Sequence, residues 1–371
     1  MKIYSLILAT ILFSNGVSFA QNQNELSPGS GTLGGVESPW KLMDVATDAS
    51  LRGLHVLSTQ IIWASGTGGT IVNSKDGGET WQVSIVEGAE KLDFRDIHAI
   101  DEHTIVAITS GTPARIYRSV DGGSQWNLCY ENKDERVFLD ALSFLNKQKG
   151  IVMGDPMGDK LFLLSTQDLG KTWSTVKSAP RVIKGEAGFA ASGTNMTVND
   201  GKFFIGLGSH LEGETSPSSR ILVSDNSAKN WKAINVPIPR AQSAGIFSIC
   251  FVDRKHGVVV GGDYQKPDNT TNNIAVTNDG GQTWSAPTTN QPPTGFRSCS
   301  AAWINGAQIN VISVGPNGTD RSTDMGHRWH RISNEGFHSI DFSPDGNSGW
   351  ASGSEGRIAR WKGVHPPADQ N

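Results

Sequence analysis

Short apolar runs, each fenced by glycine or polar residues, recur along this chain and do not lengthen into a helical period. The runs at 61–64, 104–108, 150–153, 202–205, 257–260 and 310–313 are rich in Ile, Val and Phe and four or five residues long. Runs of that length and make-up predict β-strands. A second mark precedes each of them: Leu51-Arg52, Phe94-Arg95, Phe138-Leu139, Phe189-Ala190, Ile246-Phe247 and Phe296-Arg297, with a seventh at Phe337-His338. Seven first strands are therefore expected.

Between the strands an eight-residue turn recurs six times and ends in tryptophan. Its anchors are Asp76 and Trp81, Asp121 and Trp126, Asp168 and Trp173, Asn226 and Trp231, Asp279 and Trp284, Asp324 and Trp329. The tryptophans lie 45, 47, 58, 53 and 45 residues apart, the period of a repeated supersecondary unit. Asp accepts hydrogen bonds from amides two or three residues on, and Gly takes the left-handed position of the turn. The fourth copy carries Asn226 for Asp and Ala228 for Gly, so a reshaped turn is expected there. These turns read as folding elements and not as catalytic ones.

The turn resembles the Asp box, or bacterial neuraminidase repeat, of sialidases, sortilin-type receptors and the photosystem II stability/assembly factor family. The last is most similar, because its proteins are single propellers that follow a signal peptide. The stretches Gly185-Glu-Ala-Gly-Phe-Ala-Ala-Ser-Gly-Thr194 and Val260-Gly-Gly-Asp-Tyr264 are similar to those of bacterial proteins grouped with that factor, some of which are called oxidoreductases. The resemblance spans the mature chain and implies an all-β fold, whereas activity has to be argued from a site.

Six boxes against seven first strands leave the last unit without an outer strand. Pro39-Trp40-Lys-Leu-Met43 reads as a strand following a box, with Trp40 in the tryptophan slot. The expectation is a seven-bladed β-propeller over 38–363, its last blade closed by the N-terminal strand so that no sheet edge stays open.

Lys2, the apolar run 3–13 and Ser18-Phe19-Ala20 before Gln21 predict a signal peptide over 1–20 and a secreted or periplasmic protein without a membrane anchor. Residues 21–37 read as a flexible lead-in and 364–371 as a tail. The formal GxGxxG at 29–34 has no strand before it or helix after it, so it does not predict a dinucleotide site. The net charge is −4 with no basic run, which argues against nucleic acid as a partner. Cys129, Cys250 and Cys299 read as free, buried thiols. No metal-spaced His/Cys cluster and no cofactor motif is present, and a monomer is expected.

In Asp-box propellers the boxes rim one face, so the resemblance implies a site on the other. There the reading places Arg52, Arg95, Arg297 and His338 from four contiguous blades, opposite Asp155, Glu186 and Asp263. Arginine forks suit carboxylate, sulfate or phosphate, so the basic arc points to an anionic glycan or an acidic protein segment. Long loops at 210–219 and 264–273 border it and account for the wider box spacings. A sialidase would need a tyrosine nucleophile, and only Tyr264 stands on a suitable loop, while the sialidase Phe/Tyr-Arg-Ile-Pro motif is missing. A glycoside hydrolase using two of Asp155, Glu186 and Asp263, or a uronate lyase with Tyr264 or His338 as base, stays open as the alternative to a binding or scaffold role. The oxidoreductase reading has no motif beneath it.

Overall fold

The structure, a computed structural model, describes residues 37–225, 228–288, 291–305 and 308–363. The predicted signal peptide, most of the lead-in, the glycine motif at 29–34, the tail at 364–371 and Asn226 lie outside the described residues. The chain forms seven antiparallel sheets arranged as a β-propeller, and no described segment is helical. Blade 1 shows the plan: Leu51–Val56 lies innermost, followed outward by Ile62–Gly66, Thr70–Ser74 and Gln82–Ile85. All six apolar runs read from the sequence fall in second strands.

The ring closes as the sequence implied. Ser339–Phe342, Gly349–Ser352 and Ile358–Trp361 form blade 7, and Trp40–Leu42 pairs outermost, Trp40 opposite Trp361. The Trp40 indole is buried, donates to Thr319 Oγ1 at 3.1 Å, and packs 5.1 Å from Phe337. Hydrophobic clusters fill the boundaries between blades; one joins Trp350 and Ile358 of blade 7 to Leu51, Ile62 and Val72 of blade 1.

The boxes behave as turn chemistry predicts. In the first, Asp76 accepts from the Thr80 amide at 2.9 Å, and the Ser74 hydroxyl accepts from the Gly78 amide at 2.8 Å. A Cβ on Gly78 would sit 2.0 Å from the Trp350 ring, so this glycine serves both a left-handed turn and the seam with blade 7. In the fourth box Ala228 is held in the left-handed region at φ 64°. Four of the boxes also lean on the hairpin between their blade's first two strands: Gly77 N donates to Gln60 O, Gly122 N to His103 O, Leu169 N to Gln148 O and Gly280 N to Lys255 O. Boxes and inner hairpins therefore share one face, and the opposite face carries the entries to the first strands.

Blade 4 departs from the expectation. Phe189-Ala190 does not open its first strand, which is Met196–Asn199. Between blades 3 and 4, residues 176–182 still follow the third strand of blade 3 and 183–195 then run inward, so the wide spacing of 58 arises here as well as at 210–219. Glu186–Ala187 and Gly208–Ser209 hang on the inner strand of blade 5 and make that sheet five-stranded. Cys250 and Cys299 are buried free thiols, whereas Cys129 is only half-buried, because it lies on an outer strand.

Candidate functional site

Four inner strands carry a β-bulge at the same phase. The register skips Arg52 between Leu51 and Gly53, and likewise Arg95, Asp140 and Phe247. A bulge inserts one unpaired residue and re-aims its side chain. All four re-aimed residues meet one segment, 188–191, which crosses the axial channel. Asp140 Oδ2 lies 3.1 Å from where a Cβ on Gly188 would stand. Phe247 stacks on Phe189 with ring centroids 4.1 Å apart. Arg95 Nη1 donates to Ala190 O at 3.3 Å, and Arg52 Nη1 to Ala191 O at 3.4 Å.

The segment continues as a plug. Ser192 Oγ donates to Ser298 O at 2.9 Å, Thr194 Oγ1 to Ser248 Oγ at 2.8 Å, and the Ile249 amide to Thr194 O at 2.9 Å. Residues 188–194 thus touch blades 1, 2, 3, 5 and 6. Sequence reasoning missed this element, although the glycines at 185, 188 and 193 beside a long interval between box tryptophans were the available signal.

Below the plug, side chains of one blade capture inner-strand amides of the next. The Val56 amide donates to Asp341 at 2.7 Å, Ala99 to His55 Nδ1 at 3.0 Å, and Leu142 to Asp96 at 2.7 Å. Ser300 donates to Ser248 Oγ at 2.9 Å, and Ile340 to Cys299 Sγ at 3.4 Å. Burial raises the carboxyl of Asp96 to about 8 and that of Asp341 to about 7. Burial also raises Asp155 to about 7, and burial together with Asp155 raises Asp140.

On the plug's outer side Arg52 and Arg95 stand together with His338. Arg95 is bound by Ser110 Oγ at 3.1 Å and Asp93 at 3.7 Å. The Ala191 carbonyl is a distant partner for Arg52. Burial, then the Arg95 charge, pulls Arg52 below the usual arginine range, and only Asp93 opposes. The His338 ring contacts Ser354 Oγ at 2.9 Å and Ser50 Oγ at 3.2 Å. Burial and the neighbouring arginines hold it well below its ordinary value, so it is a neutral imidazole at pH 7.

Arg297 does not join this arc. It is 0 % exposed and paired with Asp320. The first strand of blade 6, Cys299–Asn305, keeps continuous register, and no bulge turns Arg297 inward. Glu186 is likewise withdrawn from the expected acidic side: its fully buried carboxylate accepts from Arg220 Nε at 2.6 Å and lies 3.7 Å from Arg240. Asp155 is half-buried beside Asp140. Asp263 takes the Ser243 hydroxyl at 2.6 Å and the Gln265 amide at 3.0 Å. Glu186 and Asp263 thus have separate partners, while the carboxyl beside Asp155 is that of Asp140. Tyr264 is 44 % exposed beside Phe189 and Phe247.

Fold and boxes define an Asp-box, seven-bladed β-propeller. Residues 35–133 match the family described as Photosynthesis system II assembly factor YCF48, as the resemblance in the sequence implied. A structure described as YCF48 bound to D1 peptide is 17% identical over 88% of this chain and 97% of that one, with a TM-score of 0.60. YCF48 from Cyanidioschyzon merolae is 16% identical, covering 87% and 98%, with a TM-score of 0.54. A GH74 enzyme from Niastella koreensis is 16% identical over 86% of this chain and 44% of its own, with a TM-score of 0.56. No curated protein sequence matches the chain.

Proposed function

We propose that this chain is an exported binding propeller whose Arg52–Arg95 face takes an anionic ligand, foremost an acidic segment of another protein. One observation carries the reading. Two guanidinium groups are brought together by bulges on adjacent blades, and Arg52 has a 3.4 Å carbonyl contact and the charge of Asp93, which itself pairs with Arg95, to set against its neighbour's like charge. A carboxylate seated between them would relieve the repulsion and supply the bidentate partner that guanidinium forks favour. The similar propeller YCF48 is described as bound to a peptide, which supports a protein segment over a free anion as ligand.

The glycan-active reading is less well supported. Glu186 is held by Arg220 and Arg240, and Asp155 sits half-buried beside Asp140. The likeness to the GH74 enzyme concerns fold alone.

The test is binding of a fluorescein-labelled acidic peptide to the mature protein, read by anisotropy across a salt series. Wild-type affinity should fall as salt rises. The double variant Arg52→Gln, Arg95→Gln should lose most of the affinity while staying folded, with a lower Tm from the lost contacts to the plug carbonyls. Unchanged affinity in that variant overturns the proposal.

A further inference from the structure

We infer that the site is bipartite. Beside the guanidinium pair lies an aromatic platform, and the partner segment carries an aromatic or large apolar side chain a few residues from its acidic group. The inference rests on the binding function proposed above and names the kind of partner that function requires.

Tyr264 is the first support. Large aromatic rings are ordinarily drawn into cores and interfaces, yet this one stands 44 % exposed on the face opposite the boxes. Its mount is rigid: the Tyr264 amide donates to Ser243 O at 3.2 Å, and the adjoining Asp263 carboxylate holds both the Ser243 hydroxyl and the Gln265 amide. Presenting an aromatic on a fixed turn removes much of the ordering cost of a contact.

The platform beneath it is the second support. The Tyr264 ring stands edge-on to Phe189 and Phe247, 6.2 Å from each centroid, and those two rings stack with 6° between their planes. Phe296 meets Phe247 edge-to-face at 4.6 Å and backs the stack. Phe189 is itself only half-buried, so platform and tyrosine together offer a partly open apolar surface.

Continuity joins the two halves. Phe189 belongs to the platform, and the next two residues offer the carbonyls that Arg95 and Arg52 hold. From the Tyr264 ring to the guanidinium pair is therefore roughly 10–14 Å, which an extended segment spans in about three or four residues. The plug fixes this spacing because the bulged residues Phe247, Arg95 and Arg52 grip three consecutive positions.

The experiment uses three labelled peptides in a Gly/Ser frame: one with a Glu pair only, one with a Trp three residues from the Glu pair, and one with the Trp adjacent to it. Against the wild-type protein the three-residue spacing should bind about three- to tenfold tighter than the Glu-only peptide, and the adjacent Trp should gain little. Tyr264→Ala should abolish that gain and leave Glu-only binding unchanged. Tyr264→Phe should keep it, since ring area and not the hydroxyl carries the contact. Persistence of the full gain in Tyr264→Ala, or equal binding at both spacings, overturns the bipartite site while leaving the anion site intact. If Arg52→Gln, Arg95→Gln binds all three peptides like the wild type, or the wild type binds none, the binding reading falls and this inference with it.

Discussion

Arg297 Nε donates to Asp320 Oδ2 at 2.7 Å, and both side chains are fully buried. Thr294 completes the carboxylate shell from its amide at 3.0 Å, while Phe296 O and Asn317 Oδ1 take Arg297 Nη1. A basic residue at the same sequence phase as Arg52 and Arg95 has thus become an internal strut between the entry and the third strand of blade 6. Breaking a buried pair leaves one charge without compensation, so Arg297→Gln should cost about 3–5 kcal/mol in denaturant unfolding. Replacing both partners, as Arg297→Met with Asp320→Leu, should recover most of that loss. Peptide affinity per folded molecule should not move in either variant; a selective loss of affinity would return Arg297 to the binding surface.

Gly193 in the plug has φ 75°, and a Cβ there would stand 2.3 Å from Asp96 Oδ2. Gly193→Ala should strain the backbone by about 1–3 kcal/mol and push Asp96 away from the Leu142 amide. The expected readings are a lower Tm and faster proteolytic cleavage within 186–195. A variant that melts and resists protease like the wild type would show that the plug yields easily.

Stability should peak in mildly acidic solution. Asp96 titrates at about 8 in the folded chain, and Asp155 and Asp341 at about 7, against about 4 when unfolded. These carboxyls make the folded state bind more protons than the unfolded one. His55, His98 and His338, held by desolvation below the ordinary histidine value, act the other way up to about pH 6.5. The net fall in stability therefore comes as pH rises from about 6.5 to 8. The boxes act in the opposite sense. Hydrogen bonds from Thr80 and Ser74 lower Asp76 to about 2, and that contribution is present above about pH 4 and lost as pH falls towards 2. Urea midpoints from pH 3 to 9 should show the maximum, and Asp96→Asn should flatten the alkaline limb while keeping an acceptor for Leu142. A midpoint that climbs steadily from pH 5 to 8 would contradict the buried-carboxyl account.

Removing residues 37–44 deletes the outer strand of blade 7 and bares the edge at Ile358–Trp361. The deletion should lower Tm, blunt the unfolding transition and promote aggregation. Trp40→Ala alone should cost about 3–5 kcal/mol through the lost burial against Phe337 and Trp361. A truncated chain melting like the full one would show that the ring does not depend on this strand.

Asp279→Ala removes the acceptor of the Thr283 amide at 2.9 Å and of the Thr283 hydroxyl at 2.6 Å. Because the turn is partly solvated, a loss of about 1 kcal/mol is expected, with peptide affinity unchanged. Lost affinity at unaltered Tm would make the boxes part of the site.

The sequence by itself determined the repeat, the turns, the second strands, the number of blades and the N-terminal closure. Those features are local, or they repeat, so period and turn chemistry expose them: an Asp and a Gly at fixed offsets state their geometry wherever they occur. It also placed Arg52, Arg95 and His338 in one phase, and these three do come together. The same phase misled at Arg297, because its guanidinium turns back onto the buried carboxylate of Asp320, 23 residues away on the third strand of its own blade. Glu186 was misread for a related reason. Its partners Arg220 and Arg240 lie 34 and 54 residues away, and only the folded chain brings them close. The plug, the side-chain clasps between blades and the platform of Phe189, Phe247 and Tyr264 are contacts between distant segments. They depend on how seven sheets close around one axis, and no local pattern in the chain encodes that closure.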